Sequence, residues 1–319
     1  TMTGIAADDS IGIAPASQWI ATNAIDQGAN PGFDQDIIDC FEWFTDPDGN
    51  PSTIDDVPDV VQNSWGVNEN FSGYVDCDSR WWDAIDACEA AGVVLTWSAG
   101  NEGPGSQTLR SPADRATTLY NCFSVGSTEP TAPYDISGFS SRGPAGPSCG
   151  PAENRVKPEI SAPGSDIYSS FPGGGYGYLS GTSMAGPHVA GVVALMRAAN
   201  PDVDVITIKQ VLMETADDLG VTGEDNTYGH GFLDAYEAVL YVLGGIGQVE
   251  GTITDAVTGD PIGGATVTLT DGPQTSVTGS DGSHSLTVPA GEVTFVASAF
   301  GYEDRTETVT VEEDQTLTR

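Results

Sequence analysis

Basic residues are scarce in this chain. Ten Lys and Arg stand against 46 Asp and Glu in 319 residues, a formal net charge of −36, and only Lys157 and Lys209 are lysines. A surface of that sign repels nucleic acid and anionic lipid, which argues against both as partners. The acid is spread along the chain rather than gathered into a tail, so it does not read as a disordered acidic segment. A hydrated carboxylate surface of this kind suits a saline habitat as well as plain solubility. No apolar run reaches 18 residues, so no membrane span is expected, and the residues from Thr1 onward carry no signal-peptide pattern. The five cysteines, Cys40, Cys77, Cys88, Cys122 and Cys149, include no C-x-x-C pair, which argues against a zinc cluster or thioredoxin-type site. Disulfides of a secreted, extracellular protein are the better reading. The local pairings expected are Cys77 with Cys88 and Cys122 with Cys149, leaving Cys40 without a partner.

Glycine is abundant, but its clusters lack the residues that make nucleotide loops. "GGIG" (244–247) follows a helix pattern rather than a strand, and "FPGGGYG" (171–177) lacks the Lys-Ser/Thr of a phosphate loop. "DPDGN" (46–50) begins like a calcium loop but lacks the later bidentate Glu, so it reads as an acidic surface turn.

From 1 to about 243, short apolar runs alternate with helix-patterned segments. The runs 18–25, 59–65, 92–98 and 121–127 are expected as strands. Segments 34–44 and 79–92 carry apolar residues at three- and four-residue spacing and are expected as helices. Two more helices, 205–217 and 234–243, close the region. Strand–helix alternation with strands apolar on both faces predicts an α/β fold, a parallel sheet covered on both sides. Past "LGGIGQVEG" (243–251) the texture becomes rich in Thr, Val and Gly. Alternating runs at 265–270, 283–289 and 292–298 are separated by Asp271-Gly272 and Asp281-Gly282. This predicts a small all-β antiparallel sandwich over 249–319, after a first domain over 1–243.

Ligands of open α/β sheets bind beyond the carboxyl ends of the strands. Two expected strands end in "NSWG" and "SAGNEG", and Ser183 opens a helix of small and apolar residues, "TSMAGPHVAGVVALM". Such a helix is buried, and its N-terminus favours an anion. An oxyanion formed by attack on a carbonyl is one, and the Asn101 amide could supply a second donor. Taken singly, a Ser in Ser183's place is more often only a helix cap, and a glycine-flanked Asn such as Asn101 more often a turn residue. The G-T-S-x-x-G spacing also departs from the G-x-S-x-G elbow of α/β-hydrolases.

"GTSMAGPHVAG" (181–191) closely resembles the nucleophile segment of subtilisin-like serine peptidases. "SAGNEG" (98–103), "FSSRGP" (139–144), "KPEISAPG" (157–164) and "YGHGFLDAYEAV" (228–239) resemble further motifs of that family in the same order, with bacillopeptidase F-like members nearest. Residues 249–319 resemble carboxypeptidase regulatory-like, transthyretin-type sandwiches, with His284 where an aromatic is usual. The resemblance implies a three-layer fold, a parallel sheet with helices on both faces. It implies a serine endopeptidase acting on proteins or peptides, with Ser183 as nucleophile and with the Asn101 amide and the Ser183 N–H as oxyanion hole. It makes Ser64, Trp65 and Gly66 one edge of the substrate cleft, and Ser98, Ala99 and Gly100 the other.

The family's order along the chain is Asp, His, Ser, yet only His188, His230 and His284 are present, and none matches the catalytic position. The resemblance places that histidine in an "HGTH" motif immediately before a stretch like "TMTGIAADDSIGIAPAS" (1–17). The expectation is therefore a C-terminal fragment whose Asp and His lie in a missing N-terminal segment. Alone it should be inactive, since loss of the base costs subtilisin about as much as loss of the whole triad. No cofactor is needed for the chemistry. The family often wraps calcium in the loop after its histidine helix, but "ADDSIGIAP" (7–15) is a few residues short, so no site is assigned. Two other readings compete: a non-catalytic homologue that binds peptides or mediates adhesion, and a surface or polysaccharide anchor working through the sandwich.

Overall fold

The apolar runs at 59–65, 92–98 and 121–127 become neighbouring strands of one sheet. The computed structural model describes residues 1–6, 9–25, 31–270, 274–313 and 315–319, which fall into two compact units, Thr1–Asp234 and Ala235–Arg319. In chain order the first unit holds β1 (Ile5–Ala6), β2 (Asp9–Ser10), α1 (Pro31–Thr45), β3 (Val60–Asn63), α2 (Trp82–Ala90), β4 (Val94–Ser98) and β5 (Phe123–Thr128). It continues with β6 (Ile160–Pro163), β7 (Ile167–Phe171), β8 (Gly175–Leu179), α3 (Thr182–Ala199) and α4 (Val205–Glu214). Strands β3-β4-β5-β6 form a parallel sheet in that order, with Val61 opposite Leu95 and Val125 opposite Ile160.

Alternation along the strands divides the side chains between two layers. Val61, Leu95 and Trp97 join Phe33, Ile37, Phe41, Trp81 and Ile85 of the α1–α2 side in one apolar core. Gln62 and Ser98 point the other way, toward α3. Helices on both faces of a parallel sheet are the expected architecture. Helix α3 can lie close to the sheet because Gly186 leaves room; a Cβ there would sit 2.3 Å from Gln62 Nε2.

The run 18–25 is not a strand. Its large apolar side chains face outward, with Trp19 70% exposed and Ile20 46%. The outer strand β3 pairs only with β4 among the described residues. Alongside β3 lies a cavity of about 970 Å³, bounded by Trp19, Ile20, Phe41, Val61, Asn63 and Leu195.

The two lysines sit inside the first unit. Lys157 pairs with Glu159 and donates to the Asn121 and Cys122 carbonyls at 3.1 and 3.3 Å. Lys209 pairs with Glu89 and donates to Tyr120 O at 2.8 Å. Both therefore grip the chain as it enters β5.

The expected disulfides are both corrected. Cys77 bonds Cys149 across 72 residues of sequence, with a Cα–Cα distance of 4.9 Å. Cys88 and Cys122 are free thiols buried in the core beside the sheet, and Cys40 is a free, half-buried thiol of α1 packed against that core. Nearness in sequence misled because α2 and β5 turn Cys88 and Cys122 inward, away from the loops that carry Cys77 and Cys149. Burial pushes the thiols of Cys88 and Cys122 up to about 12, so both stay protonated.

The second unit opens with α5 (Ala235–Gly244), then β9 (Ile246–Thr252), β10 (Thr266–Leu269), β11 (Thr275–Val277), β12 (Ser283–Pro289), β13 (Gly291–Ser298), β14 (Arg305–Val311) and β15 (Thr316–Thr318). Helix α5 packs on β9 and β12. The compact units thus divide before this helix, whereas the sequence pattern divides the chain after it. Sheets β11-β10-β13-β14 and β12-β9-β15 enclose Val249, Val267, Leu286, Val288, Phe295 and Val311. All pairings are antiparallel except β15 with β9. Asp281-Gly282 carries the chain from one sheet to the other, with Gly282 at φ +77°; Asp271-Gly272 lies outside the described residues.

Candidate active site

Ser183 is the second residue of α3, where the first-turn N–H groups have no partner within the helix and carry the positive end of its dipole. The residue before the helix, Gly181, turns the chain at φ +158° without a side chain. That missing side chain defines a space. A Cβ built on Gly181 would lie 3.5 Å from Asn101 Nδ2 and 3.7 Å from the Ser183 backbone N. Asn101 Nδ2 and the Ser183 backbone nitrogen, the two donors named from the sequence, therefore both lie within 4 Å of one point at Gly181.

Asn101 is held with its amide aimed there. Its Oδ1 accepts from the Thr182 backbone N–H at 2.9 Å and from Thr182 Oγ1 at 3.1 Å, which leaves Nδ2 facing the open space. Glu102 staples the loop from behind. It accepts the Asn101 N–H at 2.9 Å, receives the Ser141 hydroxyl at 3.3 Å, and pairs with Arg110. The loop needs glycine at position 100, where φ is +113° and a Cβ would come 2.7 Å from both Glu102 Oε2 and Ser141 Oγ.

Beneath Ser183 runs a polar network that sequence reading missed. Thr96 donates to Gln62 Oε1 at 2.6 Å, and Gln62 Nε2 donates to Ser64 and Ser98, each at 3.2 Å. Ser98 then donates to Thr182 O at 3.0 Å, and Ser64 to Ser183 O at 3.3 Å. Every member sits on the α3 side of β3 or β4, or at a strand's carboxyl end. A half-buried Gln within the parallel strand "VVQN" was the available signal.

Ser64, Trp65 and Gly66 follow β3 without joining the sheet, and Ala99 and Gly100 follow β4, whose last residue is Ser98. The two segments flank the start of α3. The Trp65 ring turns into the core, 5.2 Å from Trp81 and 5.2 Å from Trp97, with its indole N–H on Asn63 Oδ1 at 3.1 Å. Arg110 covers Gly66, its guanidinium reaching Gly66 O at 3.4 Å.

The histidines are elsewhere engaged. His188 is one turn farther along α3, its Nδ1 bound to Met184 O at 2.9 Å, and burial lowers its pKa. His230 sits 3.4 Å from Glu224, and His284 lies on β12 of the second unit against Gly251. The stretch 7–15 falls partly outside the described residues.

The subtilase family model matches residues 1–231, and the carboxypeptidase regulatory-like domain model matches residues 248–319. Bacillopeptidase F of Bacillus subtilis (strain 168) is 36% identical over 271 residues, covering 80% of this chain and 17% of that protein. Among solved structures, S41 psychrophilic protease superposes with a TM-score of 0.53 at 30% identity, covering 66% of this chain and 65% of that one. Sphericase gives a TM-score of 0.52 at 29% identity, covering 63% of each. The chain spans less than two thirds of each of these proteins. It belongs to the subtilase family, and carries a carboxypeptidase regulatory-like domain after its subtilase part.

Proposed function

We propose that this chain is the nucleophile-bearing part of a serine endopeptidase, with Ser183 Oγ attacking the scissile carbonyl of a protein substrate. The carrying observation is the convergence of Asn101 Nδ2 and the Ser183 N–H on the space over Gly181. There the carbonyl oxygen gains negative charge as the tetrahedral intermediate forms, and fixed donors stabilise it without reorganising. The substrate backbone lies extended between Ser64–Gly66 and Ser98–Gly100, binding as an added strand.

The proton from Ser183 goes to a histidine outside residues 1–319. His188 is tied to its own helix, and His230 and His284 belong to other parts of the fold. The edge of β3 that pairs with no strand among the described residues, and the cavity beside it, are where a segment bearing that histidine and its aspartate seats. Residues 1–319 alone are inactive as a peptidase. The Cys77–Cys149 disulfide supports an oxidising, extracellular setting.

Two measurements test the reading. A fluorophosphonate probe labels the complete protein and fails to label Ser183→Ala; label persisting in that variant refutes the nucleophile. Sequencing the codons upstream of residue 1 reveals an H-G-T-H motif, with D-[ST]-G farther back. Their absence favours the non-catalytic, peptide-binding reading.

A further inference from the structure

The Cys77–Cys149 bridge stands against a carboxylate. An oxygen of Asp114 and the two sulfurs lie within 4.8 Å of one another, and all three residues are buried. Ala116 and Ala145 pack around the bridge with apolar surface. Asp114 Oδ2 accepts the Cys77 N–H at 2.7 Å and the Ser111 hydroxyl at 2.8 Å. The first of these bonds holds Cys77 in a left-handed backbone conformation, φ +61°, which a residue with a Cβ adopts only at a cost.

The other oxygen of this carboxylate is left without a donor. Asp114 is 3% exposed, and its Oδ1 has no hydrogen-bond partner among the described residues. Such an atom is costly to bury. Among the charged groups around it, Asp76 adds repulsion and Lys157 attraction. The Lys157 ammonium, however, is committed to Glu159 and to the Asn121 and Cys122 carbonyls. Asp78, whose N–H donates to Ser111 Oγ, is paired with Arg80. What Oδ1 lacks is an N–H, O–H or S–H, and a closed disulfide has none to give. Two thiols have two, so opening the bridge creates a donor beside the carboxylate that lacks one.

We infer that Cys77, Cys149 and Asp114 form a thiol–disulfide exchange site for a dithiol reductant, with the Asp114 carboxylate favouring the open form. Cys77 is the nearer to solvent, 8% exposed against 0% for Cys149, and the hydroxyl of the exposed Ser148 lies 3.4 Å from its sulfur. The reductant's thiolate therefore attacks Cys77 Sγ; the S–S bond breaks, and Cys149 leaves as a thiolate and takes a proton. The reductant's second thiol then attacks the mixed disulfide, closes the reductant into a cyclic disulfide and releases Cys77, which is protonated in turn. Two electrons pass from the dithiol to the bridge, and the two protons it gives up are matched by the two taken by the cysteines. Asp114 Oδ1 then accepts a thiol S–H. The site adjoins the cleft: Ser111, which holds Asp114 and the Asp78 N–H, pairs with Val67 through both backbone N–H groups, at 2.8 and 2.9 Å, one residue beyond Gly66. Its chemistry is independent of the peptidase reading.

Equilibrium with dithiothreitol provides the test. Mixtures of its reduced and oxidised forms set the ratio of open to closed bridge in the folded 319-residue chain. Acid quenching, alkylation and mass spectrometry of the Cys77 and Cys149 peptides read that ratio. Both couples exchange two protons with two electrons while their thiols stay protonated, so the constant for an ordinary bridge is flat between about pH 5 and pH 7.5. Here the thiol donor stabilises the ionised carboxylate, whose pKa burial pushes up to about 6 while the bridge is closed. The constant therefore moves toward the open form as pH rises through about 6, by about tenfold, equivalent to about 30 mV for a two-electron couple. In Asp114→Asn the constant is flat, and at pH 7.5 it lies about tenfold below that of the parent. A flat curve in the parent overturns the role of Asp114 without recourse to any variant, and a rise that persists in Asp114→Asn does the same. A bridge that dithiothreitol opens only in urea overturns the exchange site.

Discussion

Asn101 Oδ1 accepts the Thr182 backbone N–H at 2.9 Å, so one side chain both caps the approach to α3 and aims its amide N–H at the space over Gly181. The two jobs separate by substitution. Asn101→Asp keeps an oxygen for Thr182 and loses the donor. In the complete protein, on the proposed reading, it is expected to lower kcat about 10²–10³-fold, about 3–4 kcal/mol, with KM little changed; that scale was measured for such a donor in subtilisin. Unfolding midpoints of the two forms should differ little. A matching fall in stability and activity would mean that Asn101 acts through folding alone.

Gly186 of α3 packs directly against Gln62 of the sheet. Gly186→Ala drives a methyl into the Gln62 amide and is expected to cost about 1–3 kcal/mol in urea denaturation. Gln62→Ala takes the acceptor from the Thr96 hydroxyl and a donor from Ser64 and Ser98, at a cost of the same order. Because the second change removes the obstacle to the first, the double variant should be more stable than the sum predicts, with coupling of about 0.5–3 kcal/mol. Simple additivity would show that the helix shifts to make room.

Lys157 and Glu159 are enclosed together, and Glu159 also accepts the Ser124 N–H and hydroxyl at 2.6 and 2.8 Å. Lys157→Met leaves that carboxylate buried without its cation and should cost about 3–5 kcal/mol by chemical denaturation. Adding Glu159→Gln recovers part of the loss, because a neutral amide oxygen still accepts from Ser124.

Asp114 gives the protein a pH dependence of unusual sign for a carboxylate. Burial comes first among the causes that push its pKa up to about 6 from 3.8, although Ser111 and the Cys77 N–H donate to Oδ2. A raised carboxyl pKa means that folding favours the protonated form. The contribution is complete below about pH 4 and is lost as pH rises through about 6, on the order of 3 kcal/mol in all. Asp114→Asn holds a neutral group at every pH. Its stability relative to the parent should therefore rise between pH 4 and pH 7, and a constant difference would refute the shift.

Much of the fold was legible because parallel strands apolar on both faces leave a plain signature; β3 and β4 fall within runs so marked, and β5 overlaps one, ending a residue beyond it. Trp19 and Ile20 show the limit. Their apolar character predicts a strand, but a strand also needs a neighbour to pair with, and residues 18–25 have none among the described residues. Ser183 and Asn101 were legible through motif, whereas Gln62 and Thr96 were not, since their role depends on which face of the sheet α3 covers. The Cys77–Cys149 bond was hidden for a related reason: loops 72 residues apart meet only once the sheet is built.

The charge balance makes a further prediction about solvent. With 46 acidic residues against ten basic ones, and with both lysines consumed in buried pairs, the carboxylates outside repel one another. Screening should therefore raise Tm in molar salt above its value in dilute buffer. An unchanged or lower Tm would remove the case for a saline habitat.

The enclosure of Lys157 and Lys209, 1% and 0% exposed, means that the folded protein offers acylating reagents no lysine ε-amine. Each becomes reactive only when the chain opens around β5. Acetylation or ester labelling at these two positions thus serves as a clock for that opening, read by mass spectrometry from a protein carrying no added probe. Lys209 reports from α4 and Lys157 from the approach to β6, so unequal labelling would reveal which side of β5 parts first.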